Sequence, residues 1–202
     1  MWIKICGMTT PEAVEAALAA QVDAIGFVFS ESSRKVTPQQ AALLAAPARG
    51  RALCVAVTRH PTQELVDSII EEFRPDILQT DIGDLSDLEL PAHLTVLPVL
   101  RAGAELPNPL PTRVLFEGPA SGAGVPFDWS CANTTARRSQ LILAGGLSSD
   151  NVFTAIDTVH PFGVDVSSGV EDRPGLKSPA KIARFAAAAR AAAAQRFEER
   201  TR

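Results

Sequence analysis

Two kinds of residue in this 202-residue chain could do chemistry: a cysteine set directly before a glycine, Cys6-Gly7, and two glycine- and serine-bearing stretches near the other end. Cys6 closes the apolar run WIKIC. A cysteine there is either a small core residue, the commoner fate of the type, or a group kept for its sulfur. Free cysteine titrates at about 8.5, so a thiol acts as a base when its pKa lies near working pH. Lys4 precedes it by two and points to the same face of a strand. The stretches AGGLSSDNV, with Gly145 and Gly146, and DVSSGVE, with Ser167, Ser168 and Gly169, suit an anion. Glycines allow close backbone approach, and free N–H groups at a helix start favour negative charge. With both loops present, phosphate is favoured over a pair of tight turns with capping serines.

These residues need a scaffold, and the chain supplies one by alternation. Short apolar runs at 2–6, 24–29, 52–57, 76–79, 94–100, 113–118, 141–146 and 163–168 read as strands. Helix-type segments lie between most of them, two opening with Thr-Pro, a cap followed by proline at the first helical position. Strands that are apolar throughout fit a parallel sheet covered on both faces, and alternation with helices fits βαβ units. Eight units predict a small closed (β/α)8 barrel, a TIM barrel, formed by residues 1–202 as a single domain. The segments after strands 4 and 5 leave room only for short or irregular helices. An open doubly wound sheet competes, but the loop after strand 1 has a single glycine. Pro98 is an awkward residue for a central strand.

In such a barrel the chemistry gathers at the carboxyl ends of the strands. That filter selects Cys6, Ser30–Arg34, Gln79–Asp81, Arg101, Asp128, Gly145–Gly146 and Ser167–Gly169. Asp165, inside strand 8, lines the barrel or orients a loop. His60, His93 and His160 fall away from the strand ends and read as non-catalytic. Cys54, mid-strand, reads as inert core, and Cys131 has no catalytic case.

Bulk properties exclude other classes. The formal charge is −4 and no basic block exists, which argues against nucleic acid. Three widely spaced cysteines form neither a zinc-ligand pattern nor a disulfide framework, so no metal is expected and a reducing, cytoplasmic compartment fits. The start of the chain has no signal-peptide pattern, and its longest alanine-rich run is too short for a membrane span.

Four stretches, KICGMTTPEAVEAALAAQVDAIGFVFSESSRKV, GAGVPFDW, LAGGLSSDNV and VDVSSGVEDRPGLKSPAKIARF, together resemble the phosphoribosylanthranilate isomerase family of tryptophan biosynthesis. They run from Lys4 to Phe185. The resemblance implies a (β/α)8 barrel and an Amadori rearrangement: a phosphoribosyl-anthranilate opens its furanose ring and isomerises from aldose-amine to 1-amino-1-deoxy-ketose. It implies no cofactor, and as partner only the small phosphorylated substrate. Carried over by motif, the base is Cys6 and the acid Asp128 of FDW. Arg34 faces the anthranilate carboxylate, for which a planar fork is suited. Gln79 and Asp165 are further pocket residues.

Asp128 also has the type and position of an N-cap. A helix start favours a charged carboxylate, so an acid there requires desolvation to raise its pKa. The chain departs from the family pattern in two places. QTD at 79–81 replaces the family's Gln-Leu-His, bringing Thr80 and Asp81. After strand 6, Glu117 takes the position of an aspartate and SGAG that of a Gly-Gly-Thr-Gly loop, which makes Glu117 the alternative acid. The competing functions are a related phosphoribosyl isomerase of histidine biosynthesis and an inactive phosphate-binding barrel. The first usually has a carboxylate where this chain has Cys6. The second needs neither Cys6 nor Asp128. The sequence carries no sign of whether the protein is a monomer or a homodimer.

Overall fold

A computed structural model describes residues 1–119 and 127–200, the last four through their backbone alone. Eight parallel strands close a barrel in chain order: β1 (Trp2–Cys6), β2 (Ala24–Val28), β3 (Leu53–Val57), β4 (Ile77–Asp81), β5 (Thr95–Arg101), β6 (Arg113–Glu117), β7 (Gln140–Leu143) and β8 (Gly163–Val166). The seam is made by β1 against β8, with Lys4 opposite Asp165. On the other side of β1, Cys6 is opposite Gly26 of β2. The expected (β/α)8 barrel is therefore the observed fold.

Strand alternation sorts the side chains into two cores. Ile3, Ile5, Phe27, Leu78, Phe116, Val164 and their like face outward and pack beneath the helices. Ala24, Val55, Ile77, Leu97, Leu115 and Ile142 face inward and fill the barrel, with Trp2 packed against them. Trp2, Lys4 and Cys6 thus share the inner face of β1, and Cys6 stands at its upper end. Strand β5 runs through Pro98 unbroken, paired with Thr80 of β4. A seven-residue strand with a neighbour on each side tolerates one missing donor.

Helices α1 (Pro11–Ala19) and α2 (Pro38–Ala45) start as their Thr-Pro signatures predict. Thr10 Oγ1 accepts from the Ala13 amide at 3.2 Å. Thr37 and Gln40 cap each other reciprocally, a capping box. Helix α3 (Gln63–Ser68) runs into a π-helical turn at Ile69–Phe73. As expected, β4 is followed only by a 3-10 turn (Ile82–Asp87) and β5 by no helix among the described residues. The unit after β6 is also short, a 3-10 turn (Trp129–Ala132) and a four-residue α4 (Asn133–Ala136). Helix α5 (Val152–Val159) follows β7, and α6 (Pro179–Arg200) closes the ring.

Two strands, β7 and β8, end two or more residues before the apolar runs predict. β7 stops at Leu143 because Gly145 and Gly146 turn the chain with φ of +90° and +68°. β8 stops at Val166 and gives way to a 3-10 turn (Ser168–Val170). That turn leads into a small hairpin, β9 (Glu171–Arg173) and β10 (Leu176–Lys177), which sequence reasoning missed. The SGAG segment at 121–124 lies outside the described residues.

Candidate active site

A cavity of 380 Å³ opens at the carboxyl ends of the strands. Its wall takes Cys6 from β1, Arg34 from the loop after β2, Gln79 and Asp81 from β4, Arg101 from β5 and Glu117 from β6. Gly145, Gly146, Asp165, Ser167 and Ser168 complete it on the β7–β8 side. Eight of the ten residues expected from the sequence belong to this wall; Gly169 and Asp128 do not.

The β1–β8 seam places a charged pair under the thiol. Lys4 is fully buried, and its Nζ lies 2.9 Å from Asp165 Oδ1. Burial works against the ammonium, yet Asp165 and Cys6 hold it above the ordinary lysine value. Burial pushes the Cys6 thiol up; Lys4 and Lys177 pull it down and Asp165 adds to the rise, leaving it above its ordinary value. The thiol is therefore not pre-ionised in the free protein. Burial likewise pushes Cys54 up to about 11, in keeping with an inert core residue.

Arg34 reaches the cavity in a fixed pose. Its Nε and Nη2 donate to Glu171 Oε1 and Oε2 at 2.7 and 2.8 Å. Lys177 Nζ donates to the same carboxylate at 2.7 Å and to the Ser167 carbonyl at 3.0 Å. Ser167 Oγ donates to the Cys6 carbonyl at 3.0 Å. One chain of bonds thus runs from Arg34 through Glu171, Lys177 and Ser167 to the backbone of Cys6. Glu171 and Lys177 were absent from the sequence-derived site. Both sit on the β9–β10 hairpin, for which the apolar pattern carries no signal.

On the opposite wall Arg101 bridges two carboxylates. Its Nη2 donates to Asp81 Oδ1 at 2.5 Å, and its Nη1 donates to Glu117 Oε1. Gln79 is buried in the wall between, and its Oε1 has no hydrogen-bond partner. A buried acceptor left unpaired costs about 1–3 kcal/mol, which a donor on a bound ligand would recover. Among the described residues His60, Asp81 and Asp84 bring their ligand atoms within 4.8 Å of one another. They are engaged already: His60 Nδ1 and Thr80 Oγ1 bind Asp84 at 2.7 and 2.6 Å, and Arg101 binds Asp81.

Asp128, the acid expected from the sequence, lies apart from this group. It is exposed and does not line the cavity. Its Oδ1 accepts from Ser130 N at 3.0 Å and Ser130 Oγ at 2.7 Å, capping the 3-10 turn that follows. Those bonds hold its carboxyl below the usual carboxylate range, the opposite of what an acid needs. The carboxyl that the barrel brings into the cavity from this region is Glu117.

The glycine- and serine-bearing loops after β7 and β8 meet closely. Asn151 ties the first one, accepting from Ser148 N at 2.8 Å and donating to the Gly146 carbonyl at 2.8 Å. Gly169 stands behind the second loop rather than in the wall. A β-carbon there would lie 1.9 Å from the Leu147 carbonyl oxygen, so only glycine lets the two loops touch.

A closed parallel barrel with a thiol on one wall, a carboxyl on the facing wall and glycine-lined loops between them defines the class: a (β/α)8-barrel enzyme laid out for proton transfer on a small molecule. Residues 3–188 match the family model of N-(5'phosphoribosyl)anthranilate (PRA) isomerase. The chain belongs to the N-(5'-phosphoribosyl)anthranilate isomerase family. It is 41% identical to the enzyme of that name from Rhizobium etli and 39% to that from Streptococcus pneumoniae, covering 91% of this chain in each case and 91% and 92% of theirs. Among solved structures it resembles TrpF from Jonesia denitrificans, with 34% identity, a TM-score of 0.79, and 96% and 98% of the two chains covered. It also resembles a phosphoribosyl anthranilate isomerase in complex with reduced 1-(o-carboxyphenylamino)-1-deoxyribulose 5-phosphate, with 27% identity, a TM-score of 0.77, and 95% and 99% covered.

Proposed function

We propose that this chain isomerises N-(5'-phosphoribosyl)anthranilate to 1-(2-carboxyphenylamino)-1-deoxyribulose 5-phosphate, a step of tryptophan biosynthesis, with Cys6 as base and Glu117 as acid. The observation that carries the reading is a single cavity that has Cys6 on β1, Glu117 on β6 and the loops after β7 and β8 in its wall. The ligand of the solved relative has a carboxyphenyl ring, a reduced five-carbon sugar chain and a phosphate. In our reading the phosphate sits against Gly145, Gly146, Ser167 and Ser168. The carboxyphenyl ring lies toward Arg34, whose pose Glu171 fixes.

The steps follow from that arrangement. Glu117 gives a proton to the ring oxygen, the bond from that oxygen to C1 breaks, and the nitrogen lone pair forms a C1=N Schiff base. The Cys6 thiolate takes the proton from C2, and the released pair forms C1=C2 while the C=N pair returns to nitrogen. The enol then tautomerises to the 1-amino-1-deoxyketose. Proton transfer of this kind contributes about 10²–10⁴-fold per group. Gln79 Oε1 accepts from a substrate donor, and Asp165 acts with Lys4 beneath the thiol.

The chain works as one barrel domain, and three free cysteines suit a reducing, cytoplasmic setting. Among the described residues no helix is long and apolar enough to cross a membrane. The test is turnover of freshly prepared phosphoribosylanthranilate, followed by loss of its fluorescence. A folded protein that leaves the substrate untouched overturns the reading.

A further inference from the structure

We propose that Lys4 is a positioning residue for the reaction, a buried ammonium for which the Asp165 carboxylate and the Cys6 thiolate compete. The inference rests on Cys6 being the base. It starts from a lysine that packing alone does not call for. Apart from Asp165, the inward-facing neighbours of Lys4 on the adjoining strands, such as Ala24 and Gly26 of β2, are small, and a methionine would fill the same space. A fully buried lysine is tolerated where a charge meets it, and Asp165, its register partner across the seam, lies 2.9 Å away.

Gly26 shows that the thiol and the lysine share one gap. A β-carbon at Gly26 would stand 3.1 Å from Cys6 Sγ and 3.2 Å from Lys4 Cε. Both side chains lean over the same glycine of β2, which keeps the space open for them. The charges acting on the thiol come from each packed element: Lys4 on its own strand, Asp165 on β8, Lys177 on β10 and Arg34 from the loop after β2. Strand β2 itself offers only uncharged Gly26. Arg34 and Lys177 are both bound to Glu171, which neutralises much of their pull. Lys4 is the cation on the sulfur's own strand, two residues before it and on the same face. When Cys6 ionises, Lys4 supplies the counter-charge and Asp165 yields part of its claim.

Competition predicts shifts of opposite sign, which a packing role cannot produce. The measurement is the rate of Cys6 alkylation by iodoacetamide in the whole protein from pH 6 to 10. Mass spectrometry assigns the modified site, and exposed Cys131 serves as the internal reference. The thiolate is the reacting form, so the rate moves about tenfold for each unit of thiol pKa. Lys4→Met slows alkylation at pH 8 about tenfold. Asp165→Asn speeds it several-fold, and the double variant falls between the two.

Curves that superimpose on wild type, or single variants that shift in the same direction, overturn the proposal. If Lys4→Met does not fold, Asp165→Asn decides alone: faster alkylation supports the proposal, unchanged or slower alkylation refutes it. Turnover by Cys6→Ser tests the underlying assignment separately. If that variant keeps its activity, Cys6 is not the base, whatever the alkylation curves show.

Discussion

Arg34 and Glu171 meet as a two-pronged ion pair, at 2.7 and 2.8 Å, between the loop after β2 and the first residue of β9. Their side chains are 14% and 4% exposed, so the pair is well shielded from water. The cavity-lining arginine is thereby held in one pose by the protein alone.

Removing one partner of such a pair strands the other. Glu171→Ala is expected to cost about 3–5 kcal/mol, read as a lower denaturant midpoint at unchanged slope. The pH dependence has a definite sign. Burial pushes the Glu171 carboxyl up, but Arg34 and Lys177 outweigh it and hold the group below its ordinary value. A depressed carboxylate stabilises fully above its unfolded value, about 4.3, and loses that contribution as pH falls through the lower folded value. The gap in Tm between wild type and Glu171→Ala is therefore wide at pH 7 and closes below about pH 4.

Cys6→Ala is expected to lower kcat/KM by about 10²–10⁴-fold. In the wild type the thiol sits above its ordinary value, so the thiolate fraction of the free enzyme still grows beyond pH 8.5. The prediction is a kcat/KM that keeps rising between pH 8 and 10. A plateau reached by pH 7 would contradict it.

Glu117 and Asp128 separate in a paired comparison. Glu117→Gln is expected to reduce kcat/KM by about 10²–10⁴-fold, with KM changed far less. Asp128→Asn retains turnover within about threefold, because the side chain caps a turn outside the cavity. A collapse of turnover in Asp128→Asn with Glu117→Gln unharmed would return the acid to Asp128.

Gln79→Met removes a buried acceptor that has no partner in the free protein. The variant is expected to be as stable as wild type or more so, by about 1 kcal/mol, while KM rises about tenfold. Thermal melts and initial rates on the same preparations check both halves. Lost stability with an unchanged KM would make Gln79 a structural residue.

The barrel was legible because apolar runs and Thr-Pro caps are local signals. The residues at strand ends followed from the fold by one rule, which is why Cys6, Arg34, Gln79 and the two loops reach the cavity. Asp128 did not, because its place in the chain could not reveal where β6 ends. The strand stops at Glu117, inside the cavity wall, whereas Asp128 caps the 3-10 turn at Trp129–Ala132. Glu171 and Lys177 were illegible for a different reason. Their value lies in a three-body contact with Arg34, 137 residues from Glu171, which no spacing encodes. Gly169 was read for backbone access to an anion, whereas its empty side belongs to Leu147 of the neighbouring loop.

Closing the barrel between its first and last strands has a consequence for the newborn chain. The sulfur of Cys6 leaves the ribosome well before Asp165, Ser167 and Lys177, which follow it in the chain. Until β8 docks on β1, the Lys4 ammonium has no carboxylate opposite it and the thiol has no roof. The unfinished polypeptide therefore carries an open cysteine until its last barrel strand is made.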